Sequence, residues 1–183
     1  MIKKEEIDIK AEELGVHTSN VQRDYVFGWL LAGIFHSSND LSRQLILKGG
    51  NCFRKAYFEH TRFSNDLDFS VQTEVDEEKL RGSIKQACLF AQEQSGVEFF
   101  PDDSRIGRRE LAEDDSRLFE ARVYFKSFYG DDDITLKVKL DVKEYDQIFL
   151  PIQKRRLLDQ MEKEASSNKL ATEKGVSTGL KRG

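Results

Sequence analysis

Two aspartates that lie one residue apart, Asp66 and Asp68 in "RFSNDLDFSV", are the residues of this chain best suited to bind a cation. Strand side chains alternate between the two faces of a sheet, so both carboxylates point the same way, whereas Leu67 and Phe69 point into the core. Adjacent carboxylates repel each other unless a proton or a cation compensates their charge. Because Mg²⁺ prefers oxygen ligands and is often held by one or two carboxylates, the pair predicts a Mg²⁺ (or Mn²⁺) site.

A glycine pair, Gly49-Gly50, follows the apolar run "LILK" and precedes the helix-forming segment "NCFRKAYFEH". Glycine tolerates the positive φ of a tight turn, and a helix start offers free backbone N–H groups and a positive dipole end. These features suit a polyphosphate, although a Gly-Gly pair after a strand is also an ordinary turn. We expect Asn51 to be the N-cap of this helix.

A third acidic residue, Asp141, lies in "ITLKVKLDV", where aliphatic and polar residues alternate. The alternation places Asp141 on the polar face of a strand with Lys137 and Lys139. Nucleotidyl transfer uses two Mg²⁺ ions bridged by carboxylates, one activating the attacking hydroxyl and the other neutralising the leaving pyrophosphate. Asp141 is therefore either the third carboxylate of such a site or simply a residue on the exposed face of a hairpin strand.

The elements that must position these residues follow from the apolar periodicity and the turn residues. Helices are predicted over residues 5–14, from Ser19 or Asn20 through "VQRDYVFGWLLAGIFHSS", around Asp40 to Gln44, and over "DEEKLRGSIKQACLFAQEQSG" with Gly96 as the C-cap. Strands are predicted in "LILK", "DLDFSV", "VEFF" up to Pro101, "RLFEARVYF" and "ITLKVKLDV", with a loop over "DDSRIGRRELAEDDS" and a hairpin turn in "YGDDD". This order predicts an α+β fold with a mixed or antiparallel sheet flanked by helices.

Composition limits the classes of function that need to be considered. The chain has 183 residues, of which 34% are charged, and a formal net charge of −4, so any nucleic-acid contact requires a local basic patch such as residues 105–109 or 154–156. Cys52 and Cys88 lie outside any CxxC pattern and are expected to be buried free thiols. The chain has no apolar run of about 18 residues, and its charged N-terminus is unlike a signal peptide. These features predict a cytoplasmic protein with no membrane partner.

The joint pattern resembles a known family. The segment "LKGGNCFRKAYFEHTRFSNDLDFSV" is similar to the signature of the AbiEii/AbiGii-type toxin nucleotidyltransferases of the DNA polymerase β-like superfamily. That signature is a strand ending in Gly-Gly, a short helix and then "RFS-x-DLDF". The segments "VQRDYVFGWLL" and "LKVKLDV" also resemble the family, so the likeness runs from about residue 15 to about residue 150. The matching residues are Gly49, Gly50, Arg62, Phe63, Ser64, Asp66, Leu67, Asp68 and Phe69.

The resemblance implies a nucleotidyltransferase-like fold and a Mg²⁺-dependent enzyme that transfers a nucleotide from an NTP to an acceptor, RNA such as tRNA. It further implies a toxin that a cognate antitoxin protein restrains. In such proteins two aspartates, here Asp66 and Asp68, bind the metal that activates the triphosphate. Asp141 is our hypothesis for the residue that helps to deprotonate the attacking hydroxyl.

The glycine turn is the expected binding site of the triphosphate. We expect Gly49 and Gly50, together with Ser64, to hold it. Lys48 and Arg62 are expected to offset its charge. The alternatives are that Lys48 is solvated at a strand edge and that Arg62 pairs with a carboxylate.

The C-terminal part departs from the family pattern. Relatives continue through a helical second half, in which a Glu-Lys pair and an "RD-x-YD"-like motif add a lysine and a further acid to the site. The tail "LATEKGVSTGLKRG" resembles the first of these, with Lys174 as the candidate lysine, and the chain stops before the second. We therefore expect residues 1–150 to form the nucleotidyltransferase core and residues 151–183 to be an incomplete or flexible C-terminal segment.

Other classes of protein remain open at this stage. The main alternative is a truncated, non-catalytic nucleotidyltransferase-fold module that binds a partner protein or RNA. An Asp-x-Asp pair also occurs in haloacid-dehalogenase-like phosphatases, but the polar "TRFSN" before Asp66 and the lack of βαβ alternation disfavour that class. Metal-dependent glycosyltransferases need a longer α/β unit. The three histidines show no ligand spacing, which disfavours a zinc enzyme.

Overall fold

The structure is a computed structural model that describes residues 2–36, 40–58, 61–111, 117–129, 135–157 and 176–178, and it confirms the α+β architecture. The helices are α1 (Lys4–Leu14), α2 (Thr18–His36), α3 (Asp40–Gln44), α4 (Gly49–Ala56) and α5 (Glu77–Ser95). The strands are β1 (Ile46–Lys48), β2 (Asp66–Ser70), β3 (Phe99–Glu110), β4 (Arg117–Lys126), β5 (Thr135–Lys143), β6 (Gln153–Arg155) and β7 (Val176–Thr178).

These strands form one sheet in the order β3-β4-β5-β2-β1-β7-β6. The sheet is mixed, because β2 runs parallel to β5 and β1 runs parallel to β7, whereas the other neighbours are antiparallel. The parallel β2–β5 pair brings the Asp-x-Asp strand against the strand that carries Asp141. No helix in the described ranges has the length and apolar character needed to cross a membrane.

One face of the sheet packs against helices α2 and α5 and forms the main core. As the alternation predicts, the inward residues of β4 and β5 are almost completely buried, and polar residues occupy the opposite face. Cys52 and Cys88 are buried free thiols. The inward residues of the two strands are Phe119, Ala121, Val123, Phe125, Val138, Leu140 and Val142.

Two helix ends show how capping operates in this chain. Helix α5 ends at Gly96 as predicted, in a left-handed conformation with φ of 73°. Helix α2 begins one or two residues before the predicted caps, so that Ser19 and Asn20 lie inside its first turn. The reason is that His17 takes the capping role: its Nδ1 accepts a hydrogen bond from the backbone N–H of Ser19 at 3.1 Å.

The prediction that a strand ends at Pro101 and is followed by a loop is wrong for residues 102–110. Strand β3 continues from Phe99 to Glu110 and pairs with β4 along most of this length. Proline lacks the N–H that a ladder needs, but β3 is the edge strand and its register shifts between Phe100 and Arg105. An edge strand with a local irregularity accommodates proline, so the polar residues that follow continue the sheet.

Some predictions concern parts of the chain that the structure does not describe. The hairpin turn falls mostly on residues 130–134, and the candidate lysine at 174 falls within residues 158–175. Of the segment 151–183, the structure describes residues 151–157 and strand β7, so the expectation for this segment stays a prediction. These two short strands pair with each other, and β7 extends the sheet beside β1.

A buried ion cluster fastens helix α4 to helix α2. The carboxylate of Asp24 accepts hydrogen bonds from Arg54 Nε and Lys55 Nζ, both at 2.8 Å, and the side chains of all three residues are at most 10% exposed. Burial alone favours the neutral form of Asp24, but the charges of Lys55 and Arg54 outweigh it and hold the pKa of Asp24 below its usual value. The cluster fixes the helix that starts at the Gly-Gly pair.

We expect Asp24→Ala to lower the free energy of unfolding by roughly 3–5 kcal/mol, because it leaves two cations buried without a counter-charge. Urea denaturation followed by circular dichroism measures this. Asp102→Ala is the matched control, since Asp102 pairs with Lys85 at an exposed position and its loss is expected to cost no more than about 1 kcal/mol. Equal losses in the two variants would contradict the role of the buried cluster.

Candidate active site

The register between β2 and β5 assembles three carboxylates on one face of the sheet. Asp68 lies directly beside Asp141 in the parallel ladder, and Asp66 is on the same face, two residues before Asp68. Leu67 and Phe69 point to the opposite face and are at most 1% exposed, as predicted. One oxygen from each of the three half-buried aspartates lies within 4.8 Å of the others. The sequence-predicted acids therefore come together.

The carboxylates repel one another, and the effect is concentrated on Asp68. Partial burial, followed by the charges of Asp66 and Asp141, raises the pKa of Asp68 to about 6. The positive charges of Lys48 and Lys139 oppose this increase without cancelling it. At neutral pH the cluster holds more negative charge than its protein surroundings neutralise, which favours binding of a cation.

The carboxylate of Asp141 is divided between two environments. Its Oδ2 accepts a hydrogen bond of 2.7 Å from Lys139 Nζ, which also lies 3.3 Å from Glu120 Oε1. The hydrogen bond to Asp141 raises the pKa of Lys139, so this side chain remains an ammonium. The other oxygen, Asp141 Oδ1, is buried and has no hydrogen-bond partner in the described part of the chain. A buried acceptor without a donor is costly, and a bound cation or a donor from a substrate would satisfy it.

The Gly-Gly pair lies against this cluster for steric reasons. Gly49 has φ of 68°, in the left-handed region as predicted, and a Cβ built on it would collide with Asp68 Oδ2. A Cβ on Gly50 would lie 2.8 Å from Ser64 Oγ. Both side chains must therefore be absent for the start of α4 to approach the strand that carries the aspartates.

Two hydrogen bonds fix the position of Asp66. Ser64 Oγ donates to Asp66 Oδ1 at 3.0 Å, and Asn51 Nδ2 donates to the backbone carbonyl of Asp66 at 2.6 Å. The prediction that Asn51 is the N-cap of α4 is wrong, because the helix already begins at Gly49 and Lys48 is the flanking residue. Asn51 is instead a fully buried link between α4 and β2.

The two candidate phosphate-binding cations differ in their surroundings. Lys48 lies opposite Asp68 in the β1–β2 ladder, and its Nζ contacts Asp146 Oδ2 at 2.7 Å. The Asp146 side chain is only 2% exposed and also accepts a hydrogen bond from Ser70 Oγ. Arg62 is exposed on the segment between α4 and β2. Lys48, in contrast, lies at the edge of the cluster, between the carboxylates of Asp68 and Asp146.

Sequence reasoning gave no role to several residues that organise the site. The alternation pattern placed Lys139 on the correct face. Its ion pair with Asp141 was not predicted, although residues i and i+2 of a strand lie on the same face and can contact each other. Arg54 donates to the carbonyl of Thr61 at 2.5 Å and lies 3.9 Å above the ring of Phe63. Arg54 thus supports the segment that leads to Ser64, a contact for which the sequence offers no local signal.

The donor set fits a hard divalent cation. All three ligand groups are carboxylates, the type of donor that Mg²⁺ and Mn²⁺ prefer, and they converge to within 4.8 Å. The unpartnered Asp141 Oδ1 and the raised pKa of Asp68 are independent signs that positive charge is needed here. Asp66 and Asp68 would hold such an ion, with Asp141 beside them.

A family of known proteins matches the sequence of this chain. A family model described as "Nucleotidyl transferase AbiEii toxin, Type IV TA system" matches residues 29–173. The match covers most of the chain, including α4, β2 and β5 with the three aspartates. No curated protein matches the chain.

We expect Gly49→Ala to destabilise the fold and to distort the carboxylate cluster. Alanine would be strained at the positive φ of this position, and its Cβ would displace the carboxylate of Asp68. The left-handed conformation alone costs roughly 1–2 kcal/mol for an L-residue, and Mn²⁺ affinity should fall at least about 10-fold. Gly82→Ala in α5 is the control, since a Cβ there meets nothing within 4 Å. Thermal unfolding and Mn²⁺ titration calorimetry of both variants test this, and an unaltered Mn²⁺ affinity in Gly49→Ala would contradict it.

The raised pKa of Asp68 predicts a pH-dependent stability in metal-free protein. Since the pKa is about 6 in the folded chain and 3.8 ordinarily, the folded state binds this proton more tightly than the unfolded state. The stabilising contribution is fully present below pH 3.8 and is lost as the pH rises through 6. Asp68→Asn should therefore become more stable relative to the wild type as the pH rises, by on the order of 1 kcal/mol.

Urea denaturation in EDTA across this pH range measures that difference. The control is Asp103→Asn, because Asp103 is exposed on the edge strand β3 and lies outside the cluster. A stability difference for Asp68→Asn that stays constant with pH would show that the three carboxylates do not interact as their positions require.

Proposed function

Because the chain belongs to the AbiEii nucleotidyl transferase toxin family, we propose that it is a Mg²⁺-dependent enzyme that transfers a nucleotide from an NTP to an RNA acceptor such as tRNA. The observation that supports this most strongly is the convergence of Asp66, Asp68 and Asp141 to within 4.8 Å beside a glycine turn. Since the family consists of toxins of type IV toxin–antitoxin systems, the proposal includes a cognate antitoxin protein as partner.

The metal ligands in this proposal are Asp66 and Asp68. A bound Mg²⁺ or Mn²⁺ would supply Lewis-acid activation of the triphosphate and neutralise the charge of the leaving pyrophosphate. Ser64 and Asn51 serve this function indirectly, because their hydrogen bonds to Asp66 hold its carboxylate and its backbone in place. Preorganised ligands reduce the cost of bringing like charges together at the moment of binding.

The triphosphate is assigned to the turn at Gly49 and Gly50, with Ser64 beside it. The first backbone N–H groups of α4 have no partner within the helix, and the helix dipole favours negative charge at this end. Lys48 contributes positive charge at the edge of the site while it is paired with Asp146. Arg62 is exposed on the segment before β2 and is proposed to contact the distal phosphates.

The chemical step exchanges one P–O bond for another. The acceptor hydroxyl attacks the α-phosphorus of the NTP, a new oxygen–phosphorus bond forms, and the bond to the β-phosphate oxygen breaks to release pyrophosphate. Asp141 accepts the hydroxyl proton. Its Oδ1 is suited to this role because it is buried and without a hydrogen-bond donor, while Lys139 holds the other oxygen of the same carboxylate.

We expect Asp68→Asn to reduce nucleotide transfer at least about 100-fold. Mutation of residues that only support a metal ligand already lowers metal affinity or activity about 10–100-fold, and Asp68 is assigned as a ligand itself. The assay incubates the full chain with each α-³²P-labelled NTP, Mg²⁺ or Mn²⁺ and bulk tRNA, and measures label in RNA. Asp103→Asn is the matched control, and EDTA should abolish transfer.

The same assay separates the enzyme from a non-catalytic module of this fold. Metal-dependent NTP binding without incorporation into any RNA would favour the module. Transfer that persists in Asp68→Asn at the wild-type rate would refute the assignment of the metal ligands. Circular dichroism of each variant establishes that loss of transfer is not loss of fold.

A further inference from the structure

A row of cations extends from the carboxylate cluster across the open face of the sheet. In the β2–β5 ladder Asp66 lies beside Lys139, in the β4–β5 ladder Lys139 lies opposite Arg122, and in the β3–β4 ladder Arg122 lies opposite Arg105. All four positions therefore share one face. Because neighbouring strands are about 4.8 Å apart, the row reaches about 14 Å from Asp66.

The neighbouring position of the same face carries a cation and an aromatic ring. Lys137 precedes Lys139 on this face of β5, and Tyr124 lies directly opposite Lys137 on β4. Arg105, Arg122 and Lys137 are exposed, and Tyr124 is partly exposed. We call Arg105, Arg122, Lys137 and Tyr124 the basic strip.

The basic strip is costly to the folded protein in isolation. Arg122 has a like charge opposite it on both neighbouring strands, and like charges directly opposite each other in a sheet are destabilising. On β4, the acid that shares this face with Arg122 is Glu120, but its carboxylate lies against Lys139 at 3.3 Å and Arg109 at 3.6 Å. Within the described ranges, neither Arg105 nor Arg122 lies within ion-pair distance of an acid. The pKa of Glu120 is lowered mainly by the hydrogen bond from Lys139, and the charge of Arg122 contributes. The guanidinium groups of Arg105 and Arg122 can therefore still contact an anion.

The local charge is opposite in sign to that of the whole chain. With a net charge of −4, the protein repels polyanions on average, and a phosphate backbone can approach only where cations are concentrated. Cations in a row beside an aromatic ring are the combination that binds single-stranded nucleic acid, since phosphates contact the cations and a base stacks on the ring. The row begins beside the aspartates, where an acceptor hydroxyl must arrive.

We propose that the basic strip binds the single-stranded end of the nucleic acid that carries the acceptor hydroxyl. This inference rests on the proposed nucleotidyl transfer and adds the path of the acceptor strand. The strand crosses β3, β4 and β5, with its backbone on Arg105, Arg122 and Lys137 and a base on Tyr124. Its terminal hydroxyl then reaches the carboxylate cluster next to Lys139.

The first test is binding of a short, 5′-labelled single-stranded RNA of mixed sequence to the full chain without NTP, followed by fluorescence anisotropy at several salt concentrations. For Arg105→Gln/Arg122→Gln we expect affinity to fall at least about 10-fold and the slope of log K against log salt to decrease by about 1.4, since each single-strand phosphate contact contributes about 0.7. Tyr124→Leu should weaken binding about 5-fold or more through lost stacking.

The matched control is Arg81→Gln/Arg108→Gln, which removes the same charge from places away from the strip. Arg81 is on helix α5, and Arg108 is on β3 facing away from Arg105, paired with Glu110. The control should bind RNA as the wild type does. Equal weakening in both double variants, or no RNA binding by the wild type, would overturn the proposal.

A second measurement separates this inference from the proposed function. Binding of a fluorescent NTP with Mn²⁺ should be the same in Arg105→Gln/Arg122→Gln and in the wild type, while KM for the RNA acceptor rises about 10-fold in the variant. If no acceptor is ever labelled but RNA binding still depends on the two arginines, the proposed nucleotidyl transfer is refuted and the role of the basic strip in RNA binding is supported. If transfer occurs with an unchanged KM for RNA in the double variant, nucleotidyl transfer is supported and the role of the basic strip is refuted.

Discussion

The central constraint on this structure is that three carboxylates are held closer together than their mutual repulsion favours. Asp66 and Asp68 are one residue apart on β2, and the parallel ladder places Asp141 beside Asp68. Their mutual repulsion appears as the raised pKa of Asp68. A protein keeps such an arrangement only if the fold supplies the free energy to hold it, because relaxation of the strands would otherwise separate the charges. The apolar faces of the same strands supply it: Leu67, which separates the two aspartates in the sequence, is fully buried on the opposite face.

The register of β5 is therefore a functional constraint as well as a structural one. Side chains alternate with a period of two, so a slip of one residue would turn Asp141 and Lys139 into the core and expose Leu140. Burial of Leu140 at 2% exposure penalises that slip. The core that α2 and α5 cover thus determines which residues face the open side. Stability and site geometry are two consequences of one alternation pattern.

The local part of the site was predictable from sequence, whereas for its long-range part the sequence left two alternatives for Asp141. Alternation alone placed Asp66 and Asp68 on one face, and glycine chemistry alone predicted the positive φ of Gly49. Asp141 lies near Asp68 only because β2 and β5 pair in parallel. The paired residues are more than seventy positions apart in the sequence, so no local sequence signal reports this contact. The continuation of β3 beyond Pro101 was not predicted, because it also depends on a contact between distant segments. Pro101 is tolerated since β3 lies at the edge of the sheet, where it pairs only with β4.

Positive and negative charges are arranged on the open face so that each compensates a cost created by the other. Lys139 lies between the carboxylates and the cations: it donates to Asp141 in its own strand and stands opposite Arg122 on the next. Removing its charge would leave Asp141 repelling Asp68 more strongly while relieving Arg122. The ammonium of Lys139 therefore marks the boundary between a surface that needs a cation and a surface that needs an anion. A metal-bound polyphosphate on one side and a phosphate backbone on the other satisfy both needs at once, which neither ligand does alone.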